Sequence, residues 1–322
     1  MAIKATETIW HNGKYVPWHE ATTHVLSHAI HYGSSVFEGI RVYDRLGTPV
    51  GFRMREHLER LYSSARVYRF AIPYAIDTLL EVCCQLVLRN GLSSAYLRPV
   101  AFRGYGSLGV APKEDLPIDV SIAAIEWGAY LGEEAREQGA RVCISSWNRV
   151  APNTIPAGVK AGGNYLSSQL ISMEAHRLGF DEGIGLAPDG TLSEGAGENL
   201  FMVRDNVLIT PPQSASILAG ITRDSVIRLA HTMGIEVREM SLSREALYLA
   251  DELFFTGTAA EITPIRSVDD IAIGIGRRGP LTGKIQAAFF GLFDGRTEDR
   301  FGWLEPVEDS DSTAQEASGA RA

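Results

Sequence analysis

The stretch Ala151-Pro-Asn-Thr-Ile-Pro-Ala-Gly-Val-Lys160-Ala-Gly-Gly-Asn-Tyr165 isolates one lysine among small and turn-forming residues. Lysine is scarce in this chain: it stands only at positions 4, 14, 113, 160 and 284. A residue kept for its charge alone can be arginine, but a residue kept for its amine cannot, because a guanidinium forms no Schiff base. The stretch therefore indicates a reactive amine, with a solvated loop charge as the alternative.

A second segment, Ser193-Glu194-Gly-Ala-Gly-Glu198-Asn199, is acidic and rich in glycine. Small residues let a backbone approach a ligand closely, so this segment can bring a carboxylate to a bound ring. Each segment alone has an ordinary structural interpretation. Together they indicate an amine and a carboxylate that act on one ligand.

The composition is typical of a globular enzyme. Of 322 residues, 45% are hydrophobic and 21% charged, and the net charge of −9 argues against affinity for nucleic acid. No apolar run approaches the roughly 18 residues of a membrane helix, and we expect no signal peptide. The three cysteines, Cys83, Cys84 and Cys143, make no disulfide framework and predict a cytoplasmic protein.

Length and pattern predict an α+β protein of two domains, since one domain has roughly 100–200 residues. We expect a smaller N-terminal α+β domain over 1–130, a linker over 131–138 and a larger domain over 139–306. Residues 307–322 offer little to bury, which predicts a disordered tail.

Local patterns predict several elements. Helical periodicity predicts a helix over 55–70 with one packing face, formed by Leu58, Leu61, Tyr62, Ala65 and Tyr68. Residues 95–103 are typical of a strand, in which Pro99 indicates an edge or irregular position.

In the second half, Asn164 is expected to cap a helix, and another helix begins at Ile221. Hairpin turns are predicted at Asp189-Gly190 and Asp205-Asn206.

Several polar residues allow two interpretations. Thr222 stands at a helix start, where free N–H groups suit a phosphate, but it is equally a simple N-cap, and Thr258 lies in a second small-residue turn of this kind. Tyr96 and Arg98 share one face of a strand, so they either hold a carboxylate together or form an exposed edge pair.

Arg60 lies opposite the packing face of its helix, which predicts that it is solvated or directed at a group outside that face. His24, His28 and His31 have helical spacing, but no His-Glu-x-x-His pattern accompanies them and Tyr32-Gly33 breaks the helix. For these histidines we expect structural hydrogen bonds and no metal site.

Five motifs, in order, resemble those of the bacterial branched-chain amino acid aminotransferases, which are class IV, pyridoxal-phosphate-dependent transaminases. They are His31-Tyr-Gly-Ser-Ser-Val-Phe-Glu-Gly-Ile-Arg41, Ser145-Ser-Trp-Asn-Arg149, Lys160-Ala-Gly-Gly-Asn-Tyr165, Ser193-Glu-Gly-Ala-Gly-Glu-Asn-Leu200 and Gly257-Thr-Ala-Ala-Glu-Ile-Thr263. The resemblance runs from about Thr8 to Glu305. It implies a fold-type-IV enzyme of two domains, like D-amino acid aminotransferase, with mixed sheets and a pseudo-barrel in the larger domain.

The resemblance also implies the roles of the residues toward pyridoxal 5'-phosphate. Lys160 would carry the cofactor and move the proton, and Glu194 would pair with the pyridine nitrogen so that the ring acts as an electron sink. The other expected cofactor-binding residues are Arg60, Tyr165, Leu218, Ile221, Thr222 and Thr258.

For the substrates, the resemblance assigns the α-carboxylate to Tyr96 and to the N–H groups of Thr258 and Ala259, and the distal carboxylate of glutamate to Arg98. The remaining expected substrate-binding residues are Tyr32, Phe37, Gly39, Val110, Trp127, Tyr130 and Tyr165. Leu108 and Val110 lie in a loop that reaches a neighbouring subunit's site in such enzymes, which implies a homodimer at least and allows a hexamer.

The implied reaction moves the amino group between L-leucine, L-isoleucine or L-valine and 2-oxoglutarate. The nearest alternatives share the cofactor: D-amino acid transaminase, aminodeoxychorismate lyase and (R)-selective amine transaminase. A more distant alternative is a binding or regulatory protein that keeps the fold without catalysis.

Overall fold

The computed structural model describes residues 3–127 and 133–308. Contacts divide the chain into two compact units. The first comprises Met1–Trp127, Lys160–Gly163 and Phe293–Ala322, and the second comprises Gly128–Val159 and Asn164–Leu292.

Short strands and helices alternate along the first 125 residues. The elements are β1 (Thr8–His11), β2 (Lys14–Pro17), α1 (His28–Tyr32), β3 (Ser35–Phe37), β4 (Ile40–Arg45), β5 (Thr48–Phe52), α2 (Met54–Val67), α3 (Ile76–Arg89), β6 (Ala95–Arg103) and β7 (Ile118–Ile125).

The rest of the chain supplies the second unit and one returning strand. Its elements are α4 (Glu133–Gln138), β8 (Ala140–Ile144), α5 (Tyr165–Arg177), β9 (Glu182–Leu186), β10 (Leu192–Gly195), β11 (Asn199–Arg204), β12 (Val207–Thr210), α6 (Ile221–Thr232), β13 (Val237–Glu239), β14 (Glu252–Gly257), β15 (Glu261–Val268), β16 (Ile271–Ala272), α7 (Pro280–Asp294) and β17 (Leu304–Pro306).

The first unit is built on an antiparallel sheet in the order β17-β5-β4-β6-β7-β1-β2, with β3 paired to β6. The predicted helix is α2, which ends at Val67. Leu58, Leu61 and Ala65 are buried on it as the periodicity predicts, whereas Tyr62 is only partly buried and Tyr68 is the C-cap residue. The two helices α2 and α3 pack together beside this sheet.

Pro99 lies on a central strand, so the prediction of an edge position is wrong and that of an irregular position is right. On one side it pairs with Ile122 of β7. On the other side the partner of β6 changes from β4 at Leu97 to β3 at Val100. Proline has no N–H, and its carbonyl still accepts from the Glu38 N–H at 2.8 Å. The break leaves Glu38 outside β3 and β4.

The second unit is built on a mixed sheet in the order β10-β9-β8-β15-β14-β11-β12-β13, with β16 paired to β15. Pairs β8–β9, β8–β15 and β12–β13 are parallel. The predicted turns at Asp189-Gly190 and Asp205-Asn206 are confirmed, since they join the antiparallel pairs β9–β10 and β11–β12. Buried apolar residues such as Leu200, Leu253 and Phe255 form its core.

The structure differs from the predicted boundaries where local patterns were weak. The expected linker 131–138 is helical from Glu133 (131 and 132 lie outside the described residues), because its residues favour helix and Ala135 is buried against β15. The segment over 160–163 and the chain from Phe293 belong to the first unit, because Ala161 bridges Val36 and β17 pairs with β5.

Two further details differ. Asn164 does not cap α5 with its side chain; its Nδ2 instead donates to the carbonyls of Val159 at 2.8 Å and Pro156 at 3.0 Å. Val307, assigned to the tail, is buried and donates to the Pro49 carbonyl, while 309–322 lie outside the described residues. Over the described ranges, no helix is long and apolar enough to span a membrane.

Candidate active site

Lys160 is held at both of its backbone polar groups within the first unit. Its N–H donates to Ser64 Oγ on α2 at 3.2 Å, and its carbonyl accepts from the Phe37 N–H at 3.0 Å. The next residue, Ala161, forms a bridge with Val36. The half-buried side chain places Nζ 5.0 Å from the centre of the Phe37 ring. Lys160 is therefore an amine fixed against an aromatic face, and not a fully solvated charge.

Arg60 on α2 pairs with Glu38. Its Nε donates to Oε1 at 2.6 Å and its Nη2 donates to Oε2 at 2.9 Å, a bidentate geometry. His57, one turn earlier on α2, contacts Oε2 through Nδ1 at 2.8 Å. Of the two sequence interpretations of Arg60, the structure shows the second: the guanidinium is directed at a group outside the packing face of its own helix.

The charges of this cluster follow from burial and pairing. Burial alone raises the pKa of the Glu38 carboxyl, but Arg60 and His57 together lower that pKa well below its ordinary value. Burial lowers the pKa of His57, and the Glu38 charge offsets this effect only in part. At neutral pH the cluster therefore holds an ionised Glu38, a charged Arg60 and a neutral His57 that donates Nδ1–H to the carboxylate.

Phe37, Tyr96 and Trp127 form an aromatic wall beside Arg98. The Tyr96 and Trp127 rings stack with centroids 4.6 Å apart. The Arg98 Cζ atom lies 4.9 Å from the centre of the Phe37 ring and 5.1 Å from that of Tyr96, distances that favour cation–π attraction. Tyr96 is buried on a central strand, so the alternative of an exposed edge pair is wrong.

Gly39 provides the space that the Tyr96 hydroxyl occupies. A Cβ atom built on Gly39 would lie 1.8 Å from Tyr96 Oη and 2.4 Å from its Cζ. Any side chain at position 39 would therefore displace the phenol. This contact explains why glycine stands at position 39, whatever its backbone conformation.

Tyr32, Leu108 and Val110 lie at the surface of the first unit and are 44%, 55% and 88% exposed. The segment of Tyr32 is joined to that of Val110 by His28, whose Nε2 donates to the Gly109 carbonyl at 2.9 Å. Tyr130, also predicted to contact substrate, lies outside the described residues.

Glu194 is a buried carboxylate of the second unit and lies on β10, the edge strand of its sheet. The Arg149 Nη2 donates to Oε1 at 2.6 Å, while the Asn199 Nδ2 and the Leu218 N–H donate to Oε2 at 2.9 and 3.1 Å. Arg149 is itself held by Ser168 Oγ on α5 at 3.0 Å. These three donors, one of them the Arg149 cation, favour the ionised carboxylate.

The start of α6 suits an anion. Gly220 occupies the N-cap, so the interpretation of Thr222 as the N-cap is wrong: it is the second residue of the helix and is buried. Glycine offers no side-chain acceptor to the first-turn N–H groups, which suits a phosphate. Gly220 is required here because a Cβ would lie 1.9 Å from Asn199 Oδ1.

The remaining predicted residues of the second unit lie near the ends of elements. Thr258 and Ala259 follow β14 in the turn before β15, and α6 packs against β14. Tyr165 is the first residue of α5 and is half-buried.

The sequence interpretation did not assign roles to four residues that hold this chemistry in place: Glu38, His57, Arg149 and Asn199. One signal was present for Glu38, since a lone carboxylate inside the apolar run Ser35-Val-Phe-Glu-Gly-Ile40 is rarely buried without a partner. For His57, Arg149 and Asn199, no local sequence pattern indicates which residue they contact.

The three spaced histidines make structural hydrogen bonds, as expected. The ring nitrogens of His28 contact Ser34 Oγ and the Gly109 carbonyl, and His31 Nε2 donates to the Val25 carbonyl at 3.0 Å. Among the residues that the structure describes, no group of three or more His, Cys, Asp or Glu is placed to hold a metal ion.

Each unit supplies groups of a kind that suits pyridoxal phosphate. The first unit supplies a positioned amine, and the second supplies a carboxylate paired with an arginine and a helix N-terminus whose N-cap is a glycine. These features define a class IV aminotransferase, and the chain belongs to that family: the family model described as amino-transferase class IV matches residues 35–268.

Among its relatives are the branched-chain-amino-acid aminotransferases. The protein of that name from Salmonella typhimurium is 59% identical over 307 residues, 95% of this chain and 99% of the relative. The crystal structure of the branched-chain amino acid aminotransferase of Escherichia coli matches with a TM-score of 0.93 at 59% identity, covering 94% of this chain and all of that one.

A third relative was solved with its cofactor. The branched-chain amino acid aminotransferase of Thermobaculum terrenum, in its PLP form, matches with a TM-score of 0.88 at 35% identity, covering 95% of this chain and 99% of that one. The predicted family and the predicted α+β fold of type IV are confirmed.

Proposed function

We propose that this chain is a pyridoxal-phosphate-dependent transaminase of branched-chain L-amino acids. It moves the amino group of L-leucine, L-isoleucine or L-valine to 2-oxoglutarate in a ping-pong reaction, giving the branched 2-oxo acid and L-glutamate. The observation that carries the proposal is the aromatic wall of Phe37, Tyr96 and Trp127 with Arg98 at its edge and Lys160 against the Phe37 ring.

The cofactor, when bound, supplies the electron sink that stabilises negative charge at the substrate Cα. The Lys160 amine carries the cofactor and moves the proton at that carbon. Glu194, which accepts a 2.6 Å hydrogen bond from Arg149, would accept the N–H of the pyridine ring. Leu218, Ile221 and Thr222, at and just before the start of α6, would hold the phosphate together with the Thr258 hydroxyl and Arg60. Tyr165 contacts the ring hydroxyl.

Arg60 can serve the phosphate while it is paired with Glu38. A guanidinium has five N–H donors in a planar fork, so a carboxylate bound on one edge does not use them all. Glu38 fixes the orientation of the guanidinium that we propose for the phosphate.

Two unlike side chains use the same wall. The faces of Phe37 and Trp127 accept a branched aliphatic side chain, while the Arg98 guanidinium binds the distal carboxylate of glutamate. Tyr96, whose hydroxyl lies 3.5 Å from Arg98 Nη2, holds the α-carboxylate that both substrates share, with the N–H groups of Thr258 and Ala259.

The test is the visible spectrum of the purified holoenzyme while L-leucine and D-alanine are added separately, without any oxo acid. Conversion of the cofactor to its amino form by L-leucine supports the proposal. Conversion by D-alanine alone would instead favour a D-amino acid transaminase, the second candidate. The Lys160→Arg variant keeps the charge but loses the nucleophilic amine, so it should show no turnover, whereas Lys284→Arg on the exposed surface of α7 should match the wild type. Full activity of Lys160→Arg would contradict the mechanism.

We further propose a homodimer at least. An exposed apolar surface on the first unit supports it, formed by the segment of α1 and the loop that follows β6. Its members are Val25, Leu26, Ile30, Tyr32, Tyr105, Leu108 and Val110. Large exposed apolar patches mark interaction sites, and this one contains the residues expected to reach a neighbouring subunit. Sedimentation analysis of the wild type and of Val110→Asp tests the proposal, since a dimer through this surface should weaken in the variant.

The three thiols are free, with Cys83 and Cys143 buried. Free thiols suit the cytoplasm that the cysteine pattern predicts, and that location remains part of the proposal.

A further inference from the structure

We propose that Glu38 is a positioning residue for Lys160, through a closed frame of contacts inside the first unit. The inference rests on the proposed function of Lys160 as the amine that carries the cofactor. Glu38 itself touches neither substrate nor cofactor in this proposal. Its partners are Arg60 and His57 on α2, and the Lys160 backbone lies on the other side of the frame.

The frame consists of four connections. The Lys160 N–H donates to Ser64 on α2, and the Lys160 carbonyl accepts from the N–H of Phe37 at the end of β3. Phe37 is bonded covalently to Glu38. The Glu38 side chain then returns to α2 through Arg60 and His57. The two elements that hold the lysine backbone are thus joined to each other by this one carboxylate.

The main chain of Glu38 is fixed as well. Its N–H donates to the Pro99 carbonyl at 2.8 Å, at the place where β6 changes partner. Pro99 has no N–H to donate in return. The main chain of Glu38 is therefore fixed by this one hydrogen bond and by the pairs of β6 with β3 and β4 on either side. The carboxylate therefore starts from a defined position between β3 and β4, next to Phe37 and Gly39.

Stability alone does not account for such a residue. A buried ion pair often contributes little net stability, because the loss of hydration opposes the attraction, and apolar replacements are often neutral or stabilising. The Glu38 side chain is completely buried, and only 14% of the Arg60 side chain is exposed. The pair is better explained by what it orients: the guanidinium proposed for the phosphate and the helix that anchors the lysine N–H.

The cluster of Glu38, Arg60 and His57 also contains one buried polar atom without a hydrogen-bond partner in the part of the chain that the structure describes. His57 Nε2 is buried and has no hydrogen-bond partner among the described residues, while Nδ1 is committed to Glu38. A buried nitrogen without a partner costs free energy, so the orientation of this ring is imposed by the frame and not by the satisfaction of His57 itself.

The experiment is Glu38→Gln, measured as a holoenzyme in single-turnover half-reactions with L-leucine. Glutamine keeps the volume, but its NH2 group faces donors of Arg60 or His57, so the frame opens. Because a displacement of about 1 Å can reduce a rate about 100-fold, we expect the rate constant at saturating L-leucine to fall by about 10- to 100-fold. The apparent dissociation constant of L-leucine should change by less than about threefold, because Tyr96 and Arg98 are on β6.

A spectroscopic readout separates positioning from a general loss of structure. The pH at which the visible band of the lysine-bound cofactor changes should shift to lower values in Glu38→Gln, since a negative charge near a cationic group has been removed. Glu252→Gln is the matched control: Glu252 is a buried carboxylate of the second unit that accepts from the N–H groups of Leu281 and Thr282. This control should lower the unfolding temperature but leave the half-reaction and the band unchanged.

Should Glu38→Gln fail to fold, Ser64→Ala tests the same frame from the other side. It removes the acceptor of the Lys160 N–H and should slow the half-reaction about three- to tenfold. If both variants fold, the effects of Glu38→Gln and Ser64→Ala should be less than additive, because either change opens the same frame.

Three results would each overturn the proposal. They are a wild-type rate and band in Glu38→Gln, additive effects in the double variant, and a wild-type rate in Ser64→Ala. Absence of transamination in the wild type would instead overturn the proposed function, so the two failures are distinguishable.

Discussion

Arg149 donates a 2.6 Å hydrogen bond to Oε1 of Glu194, and both side chains are buried. The bond sets the charge of the one carboxylate that the proposed chemistry requires. Arg149 stands at the end of the motif Ser145-Ser-Trp-Asn-Arg149, and Glu174 on α5 holds the start of that motif through Ser145 Oγ and through the N–H and Oγ of Ser146. The contacts of Glu174 thus hold the loop after β8, which places the Arg149 guanidinium against the Glu194 carboxylate.

The first prediction concerns this pair. Arg149→Met keeps most of the side-chain volume but leaves Glu194 buried without its cation, so the neutral acid becomes favoured and the bond to a protonated ring nitrogen weakens. We expect kcat/KM for L-leucine to fall by about 100-fold or more, with a partial recovery in Arg149→Lys. Steady-state kinetics and the affinity for pyridoxal phosphate measure the effect.

The control for Arg149→Met is Arg53→Met, which also removes a buried arginine from an ion pair, that with Glu56 at 2.6 Å. It should keep kcat/KM within about threefold of the wild type. Equal losses in the two variants would show that a buried guanidinium is needed for folding only.

The second prediction concerns the contact of Gly39 with Tyr96. Gly39→Ala places a Cβ where the Tyr96 hydroxyl lies, at 1.8 Å, so the phenol has to move. We expect KM to rise about tenfold or more for L-leucine and for L-glutamate alike, because both use the shared α-carboxylate contact. Gly158→Ala is the control, since a Cβ there meets nothing within 4 Å. An unchanged KM in Gly39→Ala would contradict the assignment of Tyr96 to the α-carboxylate.

The third prediction separates the two substrates. Arg98→Met removes the guanidinium that lies over Phe37 and Tyr96 but keeps an apolar stem. A charge-assisted hydrogen bond contributes about 1.5–3 kcal/mol, so kcat/KM for L-glutamate should fall about 10- to 100-fold, while that for L-leucine should change only a few-fold. Tyr96→Phe should affect both substrates to the same extent. Parallel losses for both substrates in Arg98→Met would contradict a role confined to the distal carboxylate.

Candidate site residues could be predicted from the sequence where the type of residue is unusual for its surroundings. Lys160 stands out because arginine replaces lysine almost everywhere else, and Glu194 because its segment is acidic among glycines. Helix α2 and both hairpins were predictable because their patterns are local and periodic.

The sequence did not reveal how these residues are held. Nothing local indicates that Arg60 meets Glu38, 22 positions away, or that Arg149 meets Glu194, 45 positions away. Such pairs are decided by which strands adjoin in the folded sheet. Asn164 shows the opposite error: a residue with a strong capping preference is used instead to hold the carbonyls of the preceding loop. Tertiary contacts decided both cases, and propensity is a weak guide to them.

The fourth prediction is a pH dependence of stability that arises from His57. Because burial lowers the folded-state pKa of His57 below its ordinary value, the unfolded chain binds a proton at a higher pH than the folded protein does. Stability is therefore lost as the pH falls from about 6.5 toward the folded-state pKa, by up to about 1.4 kcal/mol per pH unit from this group. Glu38 acts in a lower range: its depressed pKa contributes stability that is present above about pH 4.5 and is lost only under more acidic conditions.

The two groups can therefore be separated by the pH window of the effect. His57→Gln removes the titrating imidazole while an amide remains to donate to Glu38. The free energy of unfolding of this variant, from urea titrations of the holoenzyme between about pH 5 and about pH 7.5, should fall less steeply with decreasing pH than that of the wild type. His19→Gln, at an exposed position, is the control and should keep the wild-type slope. Identical slopes for wild type and His57→Gln would mean that His57 takes up its proton equally in the folded and unfolded states. That result would contradict a His57 pKa lowered by burial in the folded protein.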